Sequence, residues 1–271
     1  MDFINLLKNM SNTETVSIMQ RVRHEFRSRH VQLLAREQIS PGFIRLTVGG
    51  PELAGFASAG FDDHTKLILP QAGQEKPNLP QMIDGRPHID GARPEMRDYT
   101  PINYDAASNT LQLDFAVHST GPAVEWARSA PIGQWLGLAG PRGSLVIAAD
   151  LDWHVLLGDE SAMPAIERRL AGLPATSRAI VRVQAHAADQ RVWTSAAKLD
   201  LQWVTSLADA AGALQLPEGD GFVWAAGENR VMADLRKRIL AKPGANPKRM
   251  RIASYWKQGE AAHHEELSAA D

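Results

Sequence analysis

The feature that most constrains the fold is a change in sequence periodicity near residue 150. Before it, segments such as FIRLTV (43–48) and TLQLDFAVH (110–118) alternate apolar and polar residues, which is typical of half-buried antiparallel strands. After it, segments such as GFVWAAGENRVMADLRKRILA (221–241) indicate a strand, a tight turn and a helix. Strands that alternate with helices predict a parallel sheet with crossover connections. The chain therefore contains two architectures.

We predict a two-domain α+β protein, in which an antiparallel Greek-key β-barrel precedes an α/β domain with a parallel sheet. The expected boundaries are 24–149 for the barrel and 150–271 for the α/β domain with its C-terminal tail. Residues 1–23 are expected to form an N-terminal extension. The spacing of Met19 and Val22 is compatible with a short helix, but we favour a docking or frayed terminus. Five prolines between residues 70 and 96 predict a long loop.

Composition excludes several classes of function. The 271 residues carry a net charge of −2, so no basic excess indicates a nucleic-acid partner. The absence of cysteine excludes disulfides, thiolate metal sites and cysteine nucleophiles. No signal peptide or membrane-spanning segment is evident, so we expect a cytoplasmic protein without membrane insertion. We predict no obligate protein partner.

The tetrapeptide RDYT places a cation, an aromatic ring and a hydroxyl within one predicted strand. Arg97 and Tyr99 face one side of that strand, and Thr100 faces the other. Such a set could neutralise a phosphate, cover a flat ring and hydrogen-bond to the ring edge. An ordinary strand edge is the alternative, because Tyr and Thr favour strands.

A second segment indicates an anion site. STGPAVEWA (119–127) predicts a short helix with Pro122 at its first position, and a helix N-terminus offers free N–H groups to a pyrophosphate. An ordinary capped helix is the alternative. The nearby GPRGS turn presents Arg142. A stacking ring, an anion seat and cations together favour a flavin dinucleotide, FAD.

The order of six motifs resembles that of the siderophore-interacting protein family, which consists of FAD-dependent ferric-siderophore reductases. The resemblance covers residues 24–260 and rests on RDYT, DFAVH-STGPAVEWA, GLAGPRGS, LLGDESAMPAI, VWAAGE and ASYWKQG. It implies a fold similar to ferredoxin–NADP reductases, with an FAD-binding barrel and an NAD(P)H-binding α/β domain. It also implies hydride transfer from NAD(P)H to FAD and single-electron reduction of siderophore-bound Fe(III) to Fe(II), which releases the iron.

The resemblance implies two groups of site residues. The cofactor-binding positions are Arg97, Tyr99, Thr100, Asp114, His118, Thr120, Gly121, Ala123, Trp126, Asp159, Ser161, Ala162, Glu228, Tyr255 and Trp256. The substrate-binding positions are Lys66, Arg142 and Lys257, three cations that would attract an anionic ferric siderophore. The chemistry needs no catalytic side chain beyond the flavin, and we expect no protein-bound metal.

The nicotinamide donor is a separate prediction. A 2′-phosphate needs a cation near a strand end, and Arg191 follows the predicted strand AIVRVQAHA. This position slightly favours NADPH over NADH. Two departures from the family pattern, Ile102 and Ser119, affect positions near the flavin segments.

Two rival functions remain open from the sequence. One is a flavin reductase of the same superfamily with another electron acceptor, such as a ferredoxin, a flavodoxin or free flavin. The other is a protein that binds ferric siderophore without turnover, which would keep the three cations but need no nicotinamide domain. The GDES and AAGE turns, at 158–161 and 225–228, favour the enzyme.

Overall fold

The computed structural model describes residues 18–117, 121–259 and 265–266. The first half is almost entirely β structure, interrupted by one helix. Its elements are β1 (Met19–Arg23), β2 (Ser28–Ser40), β3 (Phe43–Gly49), β4 (Thr65–Ile68), β5 (Gln81–Ile83), β6 (Arg86–His88), β7 (Met96–Tyr99), β8 (Ile102–Asp105), β9 (Thr110–Ala116), α1 (Pro122–Ser129), β10 (Trp135–Ala139) and β11 (Gly143–Ile147).

The second half alternates strands and helices. Its elements are β12 (Trp153–Asp159), α2 (Met163–Ala171), β13 (Arg178–Gln184), β14 (Lys198–Trp203), α3 (Leu207–Ala213), β15 (Gly221–Glu228), α4 (Asn229–Leu240), β16 (Met250–Trp256) and β17 (Glu265–Glu266). No helix in this described part of the chain is long and apolar enough to cross a membrane.

The antiparallel sheet curls into a barrel. Its seven strands are hydrogen-bonded in the order β7-β4-β10-β2-β3-β9-β8, so β7 and β8 are its two edges. Only Thr100 and Pro101 connect these edges, which therefore lie close together. The Tyr99 ring on β7 contacts the Phe115 ring on β9, with centroids 4.1 Å apart, and closes the barrel by side-chain packing.

The parallel sheet has the order β14-β13-β12-β15-β16, with β17 added antiparallel to β16. Its central strand β12 is buried along most of its length, as a near-continuous apolar run predicts for a strand covered on both faces. The parallel pairing brings the carboxyl ends of β12, β15 and β16 to one edge of the sheet. This arrangement and the barrel confirm the predicted fold class.

The two sheets pack against each other along a domain seam, which we define by the contacts of Phe43, Phe61 and Asp62 with the second half. Phe43 and Phe61 belong to the same buried cluster as side chains of the parallel sheet. The Asp62 carboxylate accepts hydrogen bonds from Trp224 Nε1 at 3.0 Å and Arg251 Nε at 2.6 Å. Asp62 thus ties the barrel to β15 and β16.

Two local features differ from what the sequence indicates. The helical spacing of Met19 and Val22 is misleading, because the segment is strand β1 and docks by antiparallel pairing with β11. The proline-rich stretch 70–96 is not all loop, since β5 and β6 form a hairpin within it. Asp84 and Gly85 have positive φ at the hairpin turn, which is the backbone conformation that Asp-Gly favours.

Candidate active site

The carboxylate of Asp159 organises the carboxyl edge of the parallel sheet. Its Oδ1 accepts hydrogen bonds from the Ser161 backbone N–H at 2.9 Å and from the Ser161 hydroxyl at 2.5 Å. Its Oδ2 accepts from the Glu228 backbone N–H at 3.0 Å and from Trp256 Nε1 at 2.9 Å. Three other predicted positions, Ser161, Glu228 and Trp256, therefore all contact the Asp159 carboxylate. Together with Asp159, they come from three separate motifs of the sequence.

The packing around Asp159 is tight. A Cβ at Gly227 would lie 2.6 Å from Asp159 Oδ2, and a Cβ at Gly158 would lie 2.4 Å from the Ala162 Cβ. Burial raises the pKa of Asp159, although its four hydrogen bonds act in the opposite direction. Glycine is required at these two positions because Asp159 and Ala162 occupy the space that a side chain would need.

The two aromatic residues before Lys257 differ in exposure. Trp256 is 43% exposed, with its indole nitrogen held by Asp159. Tyr255 packs edge-on against Trp224, with centroids 6.3 Å apart, and burial raises the pKa of its phenol. The exposed indole of Trp256 therefore forms part of the surface at this edge of the sheet. The Tyr255 ring instead packs on Trp224.

The RDYT segment occupies edge strand β7. Arg97 pairs with Glu95 at 2.8 Å and is one-quarter exposed. The Tyr99 ring lies on Phe115, and burial raises the pKa of its phenol. Thr100 is buried directly after the strand. The predicted cation, ring and hydroxyl thus lie at one edge of the barrel sheet, where β7 ends and the chain turns into β8.

Helix α1 begins as predicted, with Gly121 at the N-cap and Pro122 at the first position. The backbone N–H groups of Ala123 and Val124 precede the first intrahelical bond, which Glu125 donates to Gly121. Space around Gly121 is open, since a Cβ there would meet no atom within 4 Å. His118, Ser119 and Thr120 lie outside the described residues.

Polar groups near α1 fit a flavin dinucleotide. The buried Nε1 of Trp126 has no hydrogen-bond partner within residues 18–117 and 121–259. A buried donor of this kind requires an acceptor. Together with the N–H groups of the first turn of α1, Arg97 and the Tyr99 ring, it supplies donors, a cation and an apolar surface of the kind that FAD needs.

Asp114 and Arg191 contact each other. Asp114 accepts two hydrogen bonds from Arg45, at 2.7 and 2.9 Å, and a third from Arg191 Nη1 at 3.0 Å. Arg191 Nη1 also lies 3.6 Å from a Glu167 oxygen, and its guanidinium lies 4.5 Å from the Phe43 ring centroid. A guanidinium held by two carboxylates is poorly placed to bind a 2′-phosphate, so this placement speaks against the prediction for Arg191.

The three predicted substrate cations have different surroundings. Lys66 Nζ is 2.9 Å from both carboxylate oxygens of Asp98, within RDYT, so its charge is already compensated. Arg142 is exposed, with its guanidinium 5.9 Å from the Phe26 ring centroid. Lys257 is half-buried and follows Trp256 on the parallel-sheet side. The sequence did not indicate the Lys66–Asp98 pair.

One family departure has a structural explanation, and one class of site has no support. Ile102 is buried at the start of β8, a place that suits an apolar side chain better than a charged one. The residues that the structure describes contain no group of three or more His, Cys, Asp or Glu side chains that could hold a metal ion. The His263-His264 pair lies outside the described residues.

Comparison with known proteins agrees with this geometry. Residues 32–145 match the model of the siderophore-interacting FAD-binding domain, and residues 151–259 match that of siderophore-interacting protein. The chain is 39% identical to the NADPH-dependent ferric-chelate reductase of Escherichia coli, over 88% of this chain and 96% of that protein. It belongs to the siderophore-interacting protein family.

Other relatives of this siderophore-interacting protein point the same way. It is 30% identical to the ferric vibriobactin reductase ViuB of Vibrio cholerae, over 88% of this chain and 93% of that protein. A crystal structure of a siderophore utilization protein from T. fusca superimposes with a TM-score of 0.83 at 28% identity, covering 90% of this chain and 98% of the other. The similarity therefore extends over both sheets.

Proposed function

We propose that this siderophore-interacting protein is a ferric-siderophore reductase that uses FAD and NADPH. The observation that carries the proposal is the convergence of Ser161, Glu228 and Trp256 on Asp159 at the carboxyl edge of the parallel sheet. Ligands of open α/β sheets bind at that edge. The names of the Escherichia coli and Vibrio cholerae relatives support the same donor and substrate class.

The barrel supplies the groups proposed to hold FAD. Arg97 is the proposed cation for the pyrophosphate, and binding would require it to exchange its half-exposed partner Glu95 for the phosphate. The N–H groups of Ala123 and Val124 are the proposed backbone donors. Tyr99 presents an aromatic face, and Thr100 a hydroxyl, at the same end of the barrel. When bound, FAD accepts a hydride from a nicotinamide and passes electrons singly to Fe(III).

The parallel sheet supplies the nicotinamide side of the proposed site. Gly158 and Gly227 allow the Asp159 and Ala162 side chains to pack against the backbone at this edge of the sheet. Asp159 fixes the Trp256 indole, whose exposed face shields the sheet edge from water. Glu228 is held in turn, because its carboxylate accepts a hydrogen bond from Val231 N at 3.0 Å and caps α4.

Cations on both sides of the domain seam are proposed to attract the ferric siderophore. Arg142 is exposed on the barrel, and Lys257 is half-buried directly after β16. A cation near the reacting centre raises the local concentration of an anionic chelate. We also propose that the domains divide at 149/150 and that the protein works in the cytoplasm, where NADPH is supplied.

Anaerobic absorbance spectroscopy tests the proposal. Purified protein loaded with FAD is treated with NADPH, then with a ferric catecholate siderophore and a ferrous trap. Bleaching of the flavin band, followed by recovery as the ferrous complex appears, is the expected result. Bleaching without recovery would indicate another electron acceptor. Failure of the protein to retain FAD would refute the proposal.

A further inference from the structure

The segment after β13 reaches across the domain seam. It contains a short 3-10 turn, Ala187–Asp189, and then Arg191. The Asp189 carboxylate is fully buried and accepts hydrogen bonds from the Ser40 hydroxyl and the Gly42 N–H, both at 2.6 Å. This contact fixes the start of the segment on the turn between β2 and β3.

Arg191 makes a second contact across the seam. Its Nη1 lies between the carboxylates of Asp114 and Glu167, at 3.0 and 3.6 Å. Asp114 is also paired with Arg45, so two cations and two anions form an electrically balanced cluster. The Asp114 side chain is fully buried, and the Arg191 side chain is 15% exposed. An ion pair of this kind fixes geometry because its partners cannot separate without exposing a buried charge.

The remaining donors of Arg191 are closed to solvent. Its Nε and Nη2 are buried and have no hydrogen-bond partner in the described part of the chain. The guanidinium lies over the Phe43 ring at 4.5 Å. A 2′-phosphate could reach these nitrogens only by displacing packed side chains of the seam. The side chain is therefore built into the protein rather than presented to a ligand.

The partners of Arg191 connect the two halves of the proposed site. Asp114 lies on β9, the strand that precedes α1 in the chain. Glu167 lies on α2, the helix that follows the Asp159 turn. Arg191 therefore joins the strand that precedes the FAD phosphate seat to the helix that follows the nicotinamide edge.

We infer that Arg191 is a positioning residue that holds the parallel-sheet domain against the barrel at the distance that hydride transfer requires. This inference rests on the proposed function, because it concerns the step between nicotinamide and flavin. Misplacement of reacting groups by about 1 Å can slow a reaction about 100-fold. Loss of Arg191 leaves Asp114 paired with Arg45, so the variant is suited to a test in the folded protein.

The experiment compares Arg191→Ala and Arg191→Lys in the FAD-loaded full chain. Arg178→Ala is the matched control, because Arg178 forms a half-exposed pair with Asp200 in the same domain. Stopped-flow absorbance gives the limiting rate of flavin reduction and the half-saturating concentration, separately for NADPH and NADH. Hydrogen exchange at the β2–β3 turn gives a readout of the seam that does not depend on activity.

The expected result is a limiting rate about 10- to 100-fold lower in Arg191→Ala, with unchanged flavin content and unchanged half-saturating NADPH. Exchange at Gly42 should be about tenfold faster, because the seam opens locally. Arg191→Lys should be intermediate, since lysine keeps the charge but loses the planar stack on Phe43. The Arg178→Ala control should match the unaltered protein.

Two outcomes would overturn the inference. A rise in half-saturating NADPH with no change for NADH would make Arg191 a 2′-phosphate contact. Unchanged exchange at Gly42 with an unchanged limiting rate would remove any positioning role. If neither nicotinamide reduces the unaltered protein, the proposed function fails, and the exchange measurement alone then decides whether Arg191 holds the seam.

Discussion

His154 makes the stability of this protein dependent on pH. It lies on β12, is 1% exposed, and donates a hydrogen bond from Nε2 to the Ala149 carbonyl at 3.1 Å. Its Nδ1 accepts a hydrogen bond from Arg169 Nη2 at 3.3 Å. Burial, together with the charge of Arg169, lowers the pKa of His154 from 6.5 to about 4. The folded protein therefore keeps this imidazole neutral.

The sign and the size of the effect follow from this shift. Between pH 6.5 and about 4, the unfolded chain binds a proton at His154 that the folded chain does not. Stability is complete above pH 6.5 and is lost as the pH falls through this window. Each unit of pKa shift corresponds to about 1.4 kcal/mol, so the total loss is about 3 kcal/mol, of which about 2 kcal/mol is lost by pH 5.

His154→Gln isolates this contribution. Glutamine can accept from Arg169 and donate to the Ala149 carbonyl, but it does not titrate. Urea unfolding at pH 7.5 and pH 5 measures the free energy of unfolding of both proteins. We expect the variant to lose about 2 kcal/mol less than the unaltered protein over this interval. His88→Gln is the control, because His88 is exposed. Equal losses in His154→Gln and the unaltered protein would refute the reasoning.

Three further predictions concern the proposed site. Tyr99→Ala should weaken flavin retention whereas Tyr99→Phe keeps it, as the flavin-to-protein absorbance ratio after gel filtration will show. Asp114→Ala should lower the free energy of unfolding by about 3–5 kcal/mol in urea titration, because two buried guanidinium groups lose their carboxylate. Arg142→Ala should weaken the binding of anionic chelates more than the binding of neutral chelates in titrations. Lys66→Ala should have a smaller effect on the binding of anionic chelates, because Asp98 already neutralises Lys66. Equal losses for both chelate classes would contradict the electrostatic argument.

Most of the fold could be predicted from local sequence patterns. Alternation along β3 and β9 and the strand-turn-helix segments of the second half are properties of consecutive residues, so the sequence alone predicts them. Residues 19–23 form a strand because they pair with the distant strand β11, and no local sequence pattern specifies such a partner. The hairpin turn at Asp84-Gly85 does have a local signal, because the Asp-Gly pair itself favours such a turn. The prediction of a loop rests instead on the five prolines between residues 70 and 96.

The candidate site also contains some features that the sequence predicts and others that it does not. Asp159, Ser161, Glu228 and Trp256 were predicted by resemblance to motifs, and the structure explains their grouping through one shared carboxylate. The ion pair of Asp114 and Arg191 joins residues 77 positions apart, and neither neighbourhood indicates the other. A charged residue's partner is a property of the folded chain, so the sequence around Arg191 could not indicate its pairing with Asp114.

The short strand β17 has a consequence for handling this protein. Its backbone pairs with Ala253 and Ser254 and covers part of the outer edge of β16. An uncovered sheet edge is a template for pairing with another chain. Removal of the residues after 259 should therefore promote self-association, which light scattering would detect as a rise in particle mass with protein concentration. On this reasoning, strand β17 limits self-association through the edge of β16.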